Sequence, residues 1–405
     1  MSELDETTAR WLVADGREAV DAVTAALDAG EDELRVLERL RGSGLDAART
    51  AAVLGAAGAR RRARGRWPDA ERLLFTREAL EQASDPQVSD WRTRRLAGRV
   101  VWDLCAGCGG DTLAAARHGA AVTAVDRDAG RLVLLAHNAA VTGVEVELRR
   151  ADVLDVDVPA GALVHVDPGR RREGRRVRRL AEHLPPVGAV WAAHGRDRGI
   201  AVVLSPAVAL DDPDLPTAAE LEFVQVGDDL REAVAWGHEL RSPGVRARAT
   251  LLPEGHTRVR TGGARSRRPV GPPGAFLVEV APAAVRARLH DQIGAEIGAH
   301  RLADGRALLT SDELPPASPW YRVRPVHAVL PVRPKVVRRW LREADPDVVE
   351  LVAHGLPLDV GAWWRALGRP PRGPAGWRIE LVRTDDGGRV LVTRAAAGSA
   401  ARTVG

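Results

Sequence analysis

Apolar positions at three- and four-residue spacing dominate the first 90 residues of the chain and predict helices over Thr8 to Leu27, Asp32 to Leu40 and Asp46 to Ala57. Gly30 and Gly42 to Gly44 are the breaks between them. From about Trp91 the pattern changes to short apolar runs separated by helix-forming stretches. Val100 to Leu104 reads as a buried strand, Ala106 to Gly110 as a tight loop of small residues, and Leu113 to Arg117 as a helix whose start Asp111 and Thr112 fit. Further strands are expected at Ala121 to Val125, Val144 to Leu148, Ala162 to Val166, Ala201 to Leu204, Leu221 to Val226 and Ala247 to Leu252. A helix is expected over Arg131 to Ala140, with Gly143 as its C-cap. Strands alternating with helices imply an α/β fold with a parallel, doubly wound sheet.

Gly262 to Gly274 is the clearest linker. After it, a strand at Phe276 to Val280, a helix at Ala283 to Ile297 and strands at Ala307 to Thr310 and Tyr321 to Val329 suit a small α+β unit. The remainder predicts a helix over Lys335 to Arg342, a strand over Asp347 to His354 and a helix over Val360 to Leu367. A hairpin then joins Trp377 to Arg383 with Arg389 to Thr393 across the turn Thr384 to Gly388. Ala395 to Gly405 is expected to be disordered.

The loop after the first strand carries the candidate chemistry. Glycines there let a ligand lie against bare backbone, and the following helix offers unpaired N–H groups. Asp126, closing the second strand, can accept both hydroxyls of a ribose. A dinucleotide would be served as well, but the third glycine of G-x-G-x-x-G is missing, because Gly107 and Gly109 are followed by Thr112. Two more acids, Asp152 and Asp167, end the next two strands. This series resembles the class I S-adenosylmethionine-dependent methyltransferases more than the dehydrogenases.

In that resemblance Asp103, Cys105, Gly107 and Gly109 match the first motif, with cysteine where a first glycine often stands. Asp126, with Arg127 beside it, matches the ribose-binding acid, and Asp152, followed by Val153, the residue beside the adenine amino group. Asp167-Pro168 matches the start of the D/N-P-P-aromatic motif of enzymes that methylate amino groups on bases, but Gly169 and Arg170 replace the second proline and the aromatic. The match runs from about Arg99 to Arg172 and continues more weakly to about Pro253. A closer resemblance is to bacterial methyltransferases with a THUMP-like C-terminal domain, through Gly109-Gly110-Asp111 and Asp167-Pro168-Gly169-Arg170-Arg171. Related enzymes also carry an L-E-Q-A-(S/T) stretch that closes the cofactor's methionine end. Gln82 and Ser84 occupy it here, with helix capping by Ser84 or Asp85 an open alternative.

The resemblance implies a Rossmann-like class I methyltransferase sheet whose final strand is antiparallel. Its expected divisions are an N-terminal helical domain (1–90), a methyltransferase domain (91–255), a ferredoxin-like α+β domain (275–330), a THUMP-like domain (331–395) and a tail (396–405). The implied cofactor is S-adenosylmethionine. Asp167 and Pro168 are the candidate catalytic pair, and Gln82, Asp103, Cys105, Gly107, Gly109, Asp126, Arg127, Asp152 and Val153 the candidate cofactor residues.

Charge extends this picture toward a polyanion. The formal net charge is +4, carried almost wholly by arginine, since Lys335 is the single lysine. Seven arginines fall in Arg170 to Arg179, beside the expected acceptor site. Arg170, Arg171, Arg172, Arg175 and Arg176 are therefore candidate RNA-phosphate contacts, against the alternative of a solvated face pairing with Glu173 and Glu182. Arg60 to Arg66 has the same two readings. Cys105 and Cys108 form a C-x-x-C without a second pair, so small loop residues are favoured over a metal site and no metal is expected. Neither cysteine follows the fourth strand, which argues against carbon-5 pyrimidine methylation, and no G-x-S-x-G elbow supports a hydrolase. His165 alternates with apolar neighbours and reads as a core histidine. With no apolar run of about 18 residues, neither a membrane span nor a signal peptide is expected and a cytoplasmic location is. The leading expectation is methylation of a base nitrogen in RNA; the rivals are methylation of a protein or small molecule, and an RNA-binding module without turnover.

Overall fold

The computed structural model describes residues 4–172, 175–177, 179–262, 267–344, 348–368 and 376–394. The expected tail lies outside these residues. The chain divides into two compact units, Met1–Thr257 and Arg258–Gly405.

The first unit begins with four helices, α1 (Glu6–Ala14), α2 (Arg17–Asp28), α3 (Glu33–Gly42) and α4 (Ala47–Ala63). The single helix expected over Thr8 to Leu27 is two. Gly16 starts the second so close to the first that a Cβ there would lie 2.9 Å from Leu12 Cα. Asp5, Asp32 and Asp46 each accept a first-turn amide and so cap α1, α3 and α4. Their apolar faces, including Leu12, Val20, Val36 and Val53, form one core that also takes in Cys108 and Leu134. The Arg60 to Arg66 run is not a free cationic patch: Arg60 pairs with Asp21, Arg61 with Asp28, and Arg64 with both Asp28 and Glu71.

Two short helices, α5 (Arg77–Gln82) and α6 (Pro86–Thr93), lead into the sheet. Then come β1 (Val100–Leu104), α7 (Gly110–Arg117), β2 (Ala121–Asp126), α8 (Ala129–Thr142), β3 (Val146–Arg150) and β4 (Leu163–Val166). A two-residue hairpin, β5 (Arg171–Arg172) with β6 (Arg175–Arg176), follows, then α9 (Val187–His194). The remaining strands are β7 (Ile200–Leu204), β8 (Glu220–Val226), β9 (Asp229–Gly237), β10 (Val245–Leu252) and β11 (His256–Thr261), within which the boundary between units falls. The sheet order is β11-β10-β8-β9-β7-β4-β1-β2-β3.

From β3 to β7 neighbouring strands are parallel, so the ends of β1, β2, β3 and β4 lie along one edge. The strand expected to close the sheet antiparallel, now β10, does not do so, whereas β9 inserts between β7 and β8 and runs against both. β10 is parallel to β8. β9 escaped the sequence reading because its second half, Ala233 to Gly237 with Glu232, is buried without a break and so shows no alternation.

In the second unit β12 (Phe276–Val280), β13 (His300–Arg301), β14 (Leu309–Ser311) and β15 (Tyr321–Pro325) form a sheet in the order β13-β14-β12-β15. The helix expected over Ala283 to Ile297 is broken into α10 (Pro282–Arg286) and α11 (His290–Glu296), with Arg288 between them at φ 57°. A second sheet, in the order β16-β19-β18-β17, joins β16 (Ala328–Pro331), β17 (Val348–His354), β18 (Trp377–Thr384) and β19 (Gly387–Arg394). Helices α12 (Pro334–Ala344) and α13 (Val360–Leu367) bring Val337, Leu341, Trp363 and Leu367 to that sheet's core. The expected linker is only partly one. Residues 263–266, with Arg265, lie outside the described residues, but Arg268 is held by Asp291 and Ala299, and Gly271 donates to the Arg301 carbonyl.

Asn138 of α8 ties the helical segment to the glycine loop. Fully buried, it accepts the Leu74 amide at 2.8 Å and donates to the Leu74 and Cys108 carbonyls at 2.9 and 3.1 Å. Asn138→Ala strands three backbone groups at once and is expected to cost roughly 3 kcal/mol, read as a lower urea midpoint with an unchanged slope.

Candidate active site

The parallel register places the ends of β1 to β4 around a cleft of about 510 Å³. Of the residues singled out from sequence, Gln82, Asp103, Cys105, Gly107, Asp126, Arg127, Asp152, Val153, Asp167, Pro168 and Arg170 all line it. Gly109 does not. It begins α7 at φ 95°, where a Cβ would sit 2.9 Å from Leu135 Cγ, so its work is to let the loop pass under α8. Cys105 also has a positive φ, 69°, which explains why a glycine suits this place in the motif.

The four acids are not equivalent. Asp126 accepts the Gly107 amide on one oxygen and the Asp128 amide on the other, each at 2.9 Å. Each carboxylate oxygen has a second lone pair, so two acceptor sites remain. Asp152 accepts the Leu154 amide at 3.0 Å and is otherwise exposed at the rim. Asp103 is turned inward, accepting from Thr112 on one oxygen and facing His165 Nδ1 at 2.8 Å on the other. At Asp167 burial pushes the carboxyl up to about 6, against the opposing pull of Arg170.

His165 is a core histidine as expected on one side of its ring only. Its Nε2 is buried without a hydrogen-bond partner and lies 3.8 Å from Asp111 Oδ2. Asp111 in turn accepts from Ser89 and Arg92, and Arg92 also reaches Glu232 and Ser84. Burial raises the Asp111 carboxyl, but Arg92 and then His165 outweigh it, and the net direction is down. The two readings of the segment before α6 separate cleanly. Asp85 caps that helix, whereas Ser84 lines the cleft.

Several lining residues had no prior signal. Glu78, of the helix that also presents Gln82, lies 3.7 Å from Arg131 across the cleft. Leu184, Pro185 and Pro186 form an apolar wall beside Asp167, joined to it by reciprocal backbone hydrogen bonds between Gly169 and Leu184 at 2.8 and 2.9 Å. The Pro-Pro pair after the arginine run could have flagged this wall. A Cβ at Gly169 would stand 3.4 Å from the Leu184 carbonyl oxygen, an ordinary contact, so the close pairing of the two backbones does not itself demand glycine. Of the arginine run, Arg170 lines the cleft, Arg171, Arg172, Arg175 and Arg176 form the backbone hairpin next to it, and 173, 174 and 178 lie outside the described residues.

Among the lining residues seven carboxylates face three arginines, an excess suited to a cationic ligand. Among the described residues no group of three metal-ligating side chains occurs, and no helix is long and apolar enough to cross a membrane.

Comparison with known proteins places these features in context. A family model for RNA cap guanine-N2 methyltransferase matches residues 98–167, the segment from the approach to β1 through Asp167. Two relatives from Mycobacterium tuberculosis, in strains CDC 1551 and H37Rv, are each described as an uncharacterized S-adenosylmethionine-dependent methyltransferase. Each is 36% identical over 301 residues, covering 73% of this chain and 80% of the relative. A solved structure of a candidate methyltransferase from Porphyromonas gingivalis W83 superposes with a TM-score of 0.68 at 20% identity, covering 87% of this chain and 92% of that one.

Both thiols are expected to be inert. Burial, with Asp126 next in effect, holds the Cys105 thiol well above its ordinary value, and burial pushes Cys108 up to about 12. Iodoacetamide at pH 7.5 should leave both unmodified in the native protein and label both in urea, as read by intact mass.

Proposed function

The chain belongs to the S-adenosylmethionine-dependent methyltransferases, and from that premise we propose that its cleft methylates a nitrogen of an RNA base. The observation that carries this reading is the pairing, within one cleft, of a ribose-competent acid at the end of β2 with a desolvated acid at the end of β4.

The residues fit the cofactor. Asp126 has two acceptor sites left for the ribose hydroxyls, and Asp152 with Val153, on the cleft lining, would take the adenine edge. Gly107 and Cys105 present loop backbone to the cleft, and Glu78, Gln82 and Ser84 add polar groups on the side that the resemblance assigns to the methionine end. Bound there, S-adenosylmethionine supplies an electrophilic methyl group on a sulfonium centre.

The chain's own part is alignment and proton handling. Asp167 accepts hydrogen bonds from the acceptor's amino group, which turns the nitrogen lone pair toward the methyl group. A carboxylate with a pKa of about 6 also takes the proton that the methylated nitrogen sheds more readily than an ordinary aspartate does. Leu184 to Pro186 supply an apolar surface for a flat acceptor, in place of the missing aromatic at Arg170. RNA as the acceptor is supported by the description of the matching family model and by the basic hairpin that begins at Arg171, next to the cleft.

Labelled-methyl transfer to total RNA tests the whole reading. Wild type is expected to incorporate label and Asp167→Ala to lose it; equal incorporation by both would remove Asp167 from the chemistry, and none by wild type would remove RNA. Because the acting form of Asp167 is the carboxylate, its rate should fall below a midpoint near pH 6. Asp126→Ala removes two charge-assisted contacts and is expected to weaken S-adenosylhomocysteine binding about 100-fold by calorimetry.

A further inference from the structure

Beneath the acceptor side of the cleft lies a buried charge cluster that the mechanism above leaves unused. His165 and Asp103 are direct register partners on neighbouring strands, and Asp167, just past the end of β4, follows His165 by two positions. The ring is 1% exposed and bonded at Nδ1 to Asp103. Since that carboxylate can only accept, Nδ1 carries a proton. The other ring nitrogen then faces a second buried carboxylate, Asp111, with no hydrogen-bond partner. A bare lone pair pointed at Asp111 would repel it, whereas an N–H there is attracted. Two carboxylates gripping one imidazole from both edges favour the doubly protonated ring.

Resting on the functional reading of this cleft, we propose that His165 is a positioning residue that, as an imidazolium held between Asp103 and Asp111, keeps the acceptor-side carboxylate of Asp167 ionised.

The charges facing these groups explain why a cation is needed there. The charges that act on His165 are those of Asp103, Asp111 and Arg92, and those that act on Asp167 are Arg170, Asp111, Arg92 and His165, while Asp167 in turn acts on the Cys105 thiol. Glu232 takes the far side of Arg92. With the ring charged, two buried cations stand against the three buried carboxylates of Asp103, Asp111 and Glu232. With the ring neutral, one cation stands against three, and ionising Asp167 beside them becomes harder. Arg170 also holds Asp167 ionised, but it sits on the cleft lining, where a substrate phosphate competes for it; His165 is sealed from that competition. The direction of the ring's own titration agrees: burial pulls it down, yet Asp103 and then Asp111 overcome burial and the net direction is up.

The test is nuclear magnetic resonance on the full chain, without substrate. Nitrogen-15 spectra of the histidine rings should show His165 doubly protonated at pH 7; a neutral His165 ring at pH 7 overturns the proposal whatever any variant does. Carbon-13 carboxyl spectra, with Asp167→Asn to assign the signal, should show the Asp167 midpoint moving up by about half a pH unit or more in His165→Gln, a roughly three-fold change in the proton equilibrium. An unmoved Asp167 midpoint in a folded His165→Gln chain also overturns it. A role confined to packing would leave that midpoint in place. Calorimetry with S-adenosylhomocysteine on the wild-type chain judges the cofactor assignment separately, so failure of that assignment is told apart from failure of this proposal.

Discussion

The hydrogen bond from the Gly107 amide to the Asp126 carboxylate joins the loop after β1 to the end of β2, and most of the cleft depends on it. Asp126 is fixed from its own side by the Asp128 amide, so the loop is pinned to an acid that cannot swing away. Gly109, in the left-handed region and pressed under Leu135, then turns the chain into α7. That turn puts Asp111 in the first helical turn, within reach of His165 and Arg92. On the other side, Asn138 fastens the same loop through the Cys108 carbonyl to the segment that leads into α5. The helical segment and the sheet therefore meet at the loop, and the cleft is assembled from both.

Burial has two opposite uses around this loop. At Cys105 and Cys108 it silences chemistry: the thiols are held protonated and the C-x-x-C serves as small, apolar loop filling. At Asp167 it works the other way, since partial desolvation raises the carboxyl to about 6, on which its proposed role as proton acceptor rests. What prevents desolvation from neutralising Asp167 altogether is positive charge, from Arg170 at the surface and from Arg92 and His165 beneath it. The buried cations are themselves held by Asp103, Asp111 and Glu232, so the site is a balanced set rather than one unusual residue.

The sheet and the edge that lines the cleft were legible because buried parallel strands read as apolar runs, with Asp126 closing β2 and Asp167 following β4. β1, β2, β4 and β7 fall within a residue or so of expectation, and α8 ends at Gly143 in the left-handed conformation that its C-cap reading required. Contacts made across long sequence separations were not legible. Nothing local shows that Arg92 reaches Glu232, that Asn138 clasps Leu74, or that Leu184 folds back on Gly169 to wall the cleft. Local periodicity also failed where an element is short or fully buried. β9 lacked alternation, α1 and α2 merged across Gly16, and α10 and α11 merged across Arg288. The Arg60 to Arg66 stretch illustrates a third limit, since its pairing with Asp21, Asp28 and Glu71 depends on how α2 and the turn after α4 fold against it.

The central claim is that the strand-end acids and the glycine loop form a single adenosyl-binding cleft. Amide hydrogen exchange of the full chain with and without S-adenosylhomocysteine measures this most directly. The account predicts slowed exchange in three segments together, Cys105 to Asp111, Asp126 to Arg131 and Ala151 to Leu154. Protection absent from all three, or confined to residues after Thr257, would contradict it.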